Sequence, residues 1–194
     1  QLAGGTHNPM APPFDFLDRA FAPLVRRLGA GLDLQLQRRG FFPAGGGEVV
    51  ARITPAAQPL APFDLLERGP LASAWGEVLA PGIAKGVAAR ELQALGQRMG
   101  WTFEAGQLRQ PVARQNEGPG NALLAILAHA HVTEVFCQLG ERSLSSEQVA
   151  RRLCDDVRAY WRSQGALGPH LADQWLLPLA LAVARSGQAA RYTC

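Results

Sequence analysis

From Trp175 to Ala184 the chain carries ten consecutive apolar residues, WLLPLALAVA. A helix that crosses a bilayer needs roughly 20, so this run asks for burial inside a protein, and hence for a fold with a substantial core. The residues that lead into it are less simple. Pro169 suits the first turn of a helix, where a missing N–H costs nothing. That places His170 in the first turn and Asp173 one turn later on the same side. Taken into a core without a partner, each polar group would cost about 1–3 kcal/mol. Two readings stand at this point. Either Asp173 caps the helix, or His170, Asp173 and Gln174 face a ligand. Free N–H groups and the positive end of a helix attract anions, and a carboxamide complements an amide or purine edge.

The composition fits a globular chain, with 47% apolar and 18% charged residues over 194 positions, enough for one large or two small domains. No basic segment followed by an apolar one opens the sequence, so no secretory signal is expected. It begins at Gln1 and stops at ARYTC, and is expected to be an internal stretch of a longer protein. Cys137, Cys154 and Cys194 lack CxxC spacing, which argues against a disulfide framework or a zinc site and fits a reducing cytoplasm. A net charge of +3 identifies no partner. Among 19 basic residues Lys85 is the only lysine. Arg forks bind phosphate bidentately, although a GC-rich genome produces the same bias.

Along the chain, GGTHNPMAPPFDF reads as a loop leading into a helix through Leu28, capped by Asp15, with Phe16, Phe21, Leu24, Val25 and Leu28 on its apolar side. Leu32, Leu34 and Leu36 alternate as in a half-buried strand. PAGGG at 43–47 turns into a second strand near 48–54, and the proline-rich residues 55–69 form a connection. Then come a strand in ASAWGEVLA, a helix near Ala84–Met99, a short strand WTFEA and a polar loop, QPVARQNEGPGN. ALLAILAHA and VTEVFCQL read as neighbouring strands. Ser145 with Gln148 makes a capping box for a helix through Trp161. The class is mixed α and β, in two domains joined near residues 69 and 165.

Most single sites have a structural reading beside the functional one. PAGGG is a strained strand turn before it is a phosphate cradle. Arg38–Arg39 and Arg151–Arg152 belong on a solvated face, with RNA phosphate contact as the alternative. His129 and His131 alternate on a strand without a third ligand, which makes them surface residues and not a metal site. GGTHNP has neither GxxxxGK[ST] nor GxGxxG spacing.

Five stretches together resemble the RNA 3'-terminal phosphate cyclases: GGTHNPMAPPFDF at 4–16, RRGFFPAGGGEV at 38–49, RG at 68–69, EGPGN at 117–121 and GPHLADQWLLPLALA at 168–182. Their order and spacing match the family across nearly the whole chain. The resemblance implies an α+β fold of repeated units, each with two helices on a four-stranded sheet, interrupted by a smaller thioredoxin-like insert domain. Residues 1–69 and 166–194 would belong to the main cyclase domain and residues 70–165 to the insert. It also implies ATP and a divalent cation, Mg or Mn, as cofactors, RNA with a 3'-terminal phosphate as partner, and a cytoplasmic ligase with no membrane contact. The 3'-phosphate would become a 2',3'-cyclic phosphodiester through enzyme-histidine–AMP and RNA-phosphate–AMP intermediates, splitting one hard step into easier ones.

By the same resemblance His170, Leu171, Ala172, Asp173 and Gln174 form the adenosine-nucleotide segment, with the His170 ring over adenine. Pro12 and Phe16 lie near the purine on another side, and Asn8 belongs to the same site. No catalytic residue is expected within the chain: the adenylated His would follow Cys194, and the chain by itself is expected to be inactive. The main alternative is a non-catalytic, cyclase-like RNA-binding protein of ribosome assembly, which retention of GPHLADQ and GGTHNPMAPP disfavours. An enolpyruvyl transferase would need a Lys- and Arg-rich clamp, and there is one Lys. An RNA-binding scaffold without nucleotide chemistry is the third reading.

Overall fold

A computed structural model describes residues 1–114 and 116–194. Gln115, in the loop expected over residues 110–121, lies outside the described residues. Among the described residues seven strands form two sheets. The first is antiparallel, built from β1 (Leu2–Gly4), β2 (Gly31–Arg38) and β3 (Gly47–Thr54) in the order β1-β3-β2. The second holds β4 (Leu71–Leu79), β5 (Leu108–Arg109), β6 (Ala122–His129) and β7 (Thr133–Leu139) in the order β5-β4-β6-β7. Within it β4 and β5 are parallel and the other neighbours antiparallel.

The apolar run of β6 explains the arrangement of layers. An alternating strand needs one covered face, whereas an unbroken apolar strand needs two. Leu123, Ala125 and Leu127 pack against α2 (Lys85–Met99) and α3 (Ser146–Arg162). Ala122, Leu124 and Ile126 pack on the opposite face against α1 (residues 14–27) and α4 (Pro169–Ser186). Helix α1 comprises Phe14–Phe16, a π-helical turn at Leu17–Phe21, and Ala22–Arg27. The capping box expected at α3 is present, with Ser145 Oγ accepting from Gln148 N at 3.2 Å and Gln148 Oε1 accepting from Ser145 N at 2.8 Å.

The apolar run of α4 is buried on one side only. Leu171, Trp175, Leu179 and Ala182 face the core at helical spacing, while Leu176, Leu177 (67% exposed) and Leu181 face outward. WTFEA is not a strand. Gly100 closes α2 in a left-handed conformation, and residues 103–106 form a tight turn in which Ala105 N donates to Thr102 Oγ1. The short strand follows at Leu108–Arg109. Asp15 does not cap α1 either. Pro13 holds the cap position, and Asp15 lies buried inside the first turn, where it has stronger partners.

The connections into and out of the 71–162 stretch run side by side. Leu65 and Tyr192 form a parallel bridge, Thr193 N donates to Leu65 O at 3.2 Å, and Leu167 N donates to Thr193 O at 3.0 Å. Asp64 and Arg191 form an ion pair at 2.7 Å across the same junction.

Candidate functional site

Three of the stretches singled out in the sequence meet around Phe41. The N–H groups of Thr6 and His7 donate to Gly40 O at 2.7 and 3.0 Å, and Phe42 N donates to His7 O at 3.1 Å. The His7 ring, 0% exposed, stacks on Phe41 with centroids 4.7 Å apart. Gly120 lies against the Phe41 ring so closely that a Cβ there would overlap it. Glu117 accepts from Arg39 Nη1 at 3.2 Å and from Arg114 N at 3.2 Å. GGTHNP, RRGFFPAGGG and EGPGN are thus one packed knot. PAGGG serves as the β2–β3 hairpin, with Gly45 and Gly46 at φ of 66° and 76°. Arg39 is correspondingly an ion-pair partner with its side chain largely buried and not part of a solvated face, whereas Arg151 and Arg152 are exposed.

From this knot a polar chain runs into the second sheet. His7 Nε2 meets Asp15 Oδ2 at 3.2 Å, and Arg19 lies 3.4 Å from Asp15 Oδ1. Arg19 Nη1 donates to Glu77 Oε2 at 3.0 Å, and Trp75 Nε1 donates to Glu77 Oε1 at 2.7 Å. Burial alone would raise the Asp15 pKa. The hydrogen bond from His7 and the charges of Arg19, His7 and Arg39 outweigh it and hold the carboxyl below its ordinary value. The chain of contacts fixes where the loop over residues 8–13 leaves α1. That loop is outward-facing: Pro12 is exposed and Asn8 half-buried, with its amide against Gly5.

At the other candidate segment the burial cost posed by the sequence does not arise. His170 and Asp173 are exposed and Gln174 is half-buried, with Gln174 Nε2 donating to Asp173 Oδ2 at 3.1 Å. Gly168 is the N-cap residue and Pro169 the first helical residue, without a side-chain cap. Leu171 and Ala172 point the other way, into the core they share with Phe16 (3% exposed) and Trp175. The shared core ties the start of α1 to the start of α4. Among the described residues no hydrogen bond joins Asn8 or Pro12 to His170, Asp173 or Gln174. The open groups at this helix mouth are an imidazole, a carboxylate and a carboxamide, a donor and acceptor set suited to a heterocyclic base.

One group escaped the sequence reading. Glu134, 2% exposed on β7, accepts from Gly168 N at 2.6 Å and so satisfies the N–H of the residue that caps α4. A lone carboxylate in the apolar strand VTEVF was the available signal. His129 is half-buried at the surface, its Nδ1 within 3.0 Å of Gly69 O and its ring edge-on to Tyr160. His131 lies beyond the end of β6, in the turn, against Glu67 O. Beside them Arg68 donates to Tyr160 O at 3.0 Å and to Ser163 O, and lies 4.0 Å over the Tyr160 ring. A cleft of about 600 Å³ opens there, lined in part by Arg68, His129, Trp161 and Gln164. Among the described residues no group of three or more His, Cys, Asp or Glu side chains could hold a metal ion, and no helix is long and apolar enough to cross a membrane.

Residues 1–193 match the sequence profile of a family described as RNA 3'-terminal phosphate cyclase. Curated relatives of that same description include one from Ralstonia nicotianae, 46% identical over 93% of the chain and 51% of the relative. One from Ectopseudomonas mendocina is 43% identical over 94% and 52%, and one from Pseudomonas fluorescens 46% identical over 93% and 52%. The chain therefore spans about half the length of the curated relatives it matches.

Proposed function

The chain belongs to the RNA 3'-terminal phosphate cyclase family, and on that premise we propose that it supplies the adenosine-nucleotide side of an ATP-dependent ligase. The observation that carries this reading is the exposed His170 imidazole beside the half-buried Gln174 carboxamide on the first two turns of α4. The exposed imidazole is free to lie against adenine, a contact worth about 1–3 kcal/mol for base–aromatic stacking. Gln174 and Asp173 present donor and acceptor atoms to the base edge. Pro12 and Asn8, on the loop ahead of α1, are proposed to complete the same site, and Phe16, Leu171 and Ala172 share one core beneath the two helix starts.

The proposed reaction converts the 3'-terminal phosphate of an RNA to a 2',3'-cyclic phosphodiester through enzyme-histidine–AMP and RNA-phosphate–AMP intermediates. None of the chain's four histidines is assigned as the nucleophile, so the chain by itself is expected not to cyclise RNA. Mg or Mn is proposed as a companion of the ATP phosphates, and no residue described above is assigned to it. RNA carrying a 3'-phosphate is the proposed partner and the cytoplasm the proposed location. Residues 70–165 are proposed as the insert and residues 1–69 and 166–194 as parts of the main domain. The β5-β4-β6-β7 order, with parallel β4 and β5 and antiparallel β6 and β7, supports a thioredoxin-like layout for the insert.

The test is ATP affinity of the full-length protein. His170→Ala is expected to weaken ATP binding by about fivefold or more, as loss of a stacked ring predicts. Unchanged affinity would remove the helix mouth from the nucleotide site.

A further inference from the structure

The first turn of α4 is held by a side chain from another element. Gly168 N donates to Glu134 Oε1 at 2.6 Å, the short separation of a charge-assisted bond, and Pro169 has no N–H to offer. The fit is close: a Cβ on Gly168 would stand 3.3 Å from the Glu134 carboxyl carbon and both its oxygens. The segment leading to Gly168 is fixed from its other end as well. Arg68 clasps Tyr160 O and Ser163 O, and Tyr160 Oη donates to Ala166 O at 2.9 Å. Two residues beyond Gly168 stands His170. We propose that Glu134 is a positioning residue for the α4 mouth, and that its charge state sets how tightly this mouth holds an adenosine nucleotide. The proposal rests on the nucleotide reading of α4 given above.

An anion at the positive end of a helix is stabilising, and an ionised carboxylate is a stronger acceptor for Gly168 N than a protonated one. Burial pushes the Glu134 carboxyl up to about 7, while the bond from Gly168 and the charge of Arg68 pull it down. Its charge therefore changes within the neutral range. The groups beside it are Arg68 on the connection before β4 and Tyr160 at the end of α3, with His129 of β6 edge-on to Tyr160, while His170 and Asp173 on α4 itself are exposed to solvent.

The experiment measures ATP affinity of the full-length protein by equilibrium dialysis at about pH 6 and about pH 8. The parent is expected to bind about two- to fivefold more tightly at the higher pH, the range of a charge–helix-end interaction. Glu134→Gln keeps an oxygen facing Gly168 N but no titrating group, and is expected to lose that pH-linked gain. Glu134→Ala orphans the N–H and is expected to weaken binding about tenfold at both values. A Gln variant with the parent's pH profile, or an Ala variant with the parent's affinity, overturns the proposal. Should the Ala variant fail to fold, the isosteric Gln variant decides. If His170→Ala also binds ATP like the parent, the nucleotide reading falls. If His170→Ala loses ATP while both Glu134 variants match the parent, only the role of Glu134 falls.

Discussion

The two sheets of this molecule have similar strands and very different surroundings. The β5-β4-β6-β7 sheet is covered on both faces, and every residue from Ala122 to Leu127 is wholly buried. Among the described residues the β1-β3-β2 sheet is more open: Leu2 and Ile53 (77% exposed) lie at the surface and Leu32, Leu34 and Leu36 are only half-buried. The difference shows that strand pairing and strand burial are separate sources of stability. The first sheet is held by its ladder and by the Phe41 knot, the second by layers on either side.

Breaking the comparison is the most direct test. Ile126→Asp places an unpaired charge between the layers and is expected to cost on the order of 4 kcal/mol or more in urea denaturation. Leu34→Asp on β2 is expected to cost only about 1 kcal/mol, the span of β-strand preferences on a half-open face. Equal losses would show that the first sheet is as well covered as the second. A pH-linked effect follows from Glu91, buried on α2, whose Oε1 accepts from Asn121 Nδ2 at 2.6 Å. Burial raises its carboxyl from 4.5 to about 7, against the opposing bond from Asn121. Between those values the folded chain keeps a proton that the unfolded chain releases, so stability falls as pH rises through the window. Glu91→Gln is expected to flatten, though not abolish, the fall of Tm with pH, because Glu134 titrates in the same direction. Ser145→Ala, which removes the α3 cap, is expected to cost about 1 kcal/mol in the same denaturation measurement, comparable with Leu34→Asp.

Where a pattern is local, the sequence announced it. The unbroken apolar β6, the alternating β2 and the Ser145–Gln148 cap are all decided by residues within a few positions of one another. What was hidden depends on distant partners. Asp15 looked like a cap because nothing in the local pattern says that His7, eight residues earlier across the loop, returns to meet its carboxylate. WTFEA has strand-forming residues, but Gly100 and the Thr102 hydroxyl commit the chain to a turn first. The outward leucines of α4 carry no mark distinguishing them from the inward ones. At the candidate site, the helix mouth at Pro169 was legible from the sequence. Its support from Glu134 was not, because nothing in VTEVF says which distant N–H that carboxylate meets.

The paired connections at Leu65–Arg68 and Ser163–Leu167 have one further consequence. A guanidinium's reach separates the point where the chain departs from the point where it comes back. A short splice could therefore close the backbone if everything between were excised. Such a deletion would nevertheless strip α1 and α4 of the surface beneath them, including Leu124 and Ile126. By path the middle of the chain is a detour; by contact it is the floor on which both flanking helices stand.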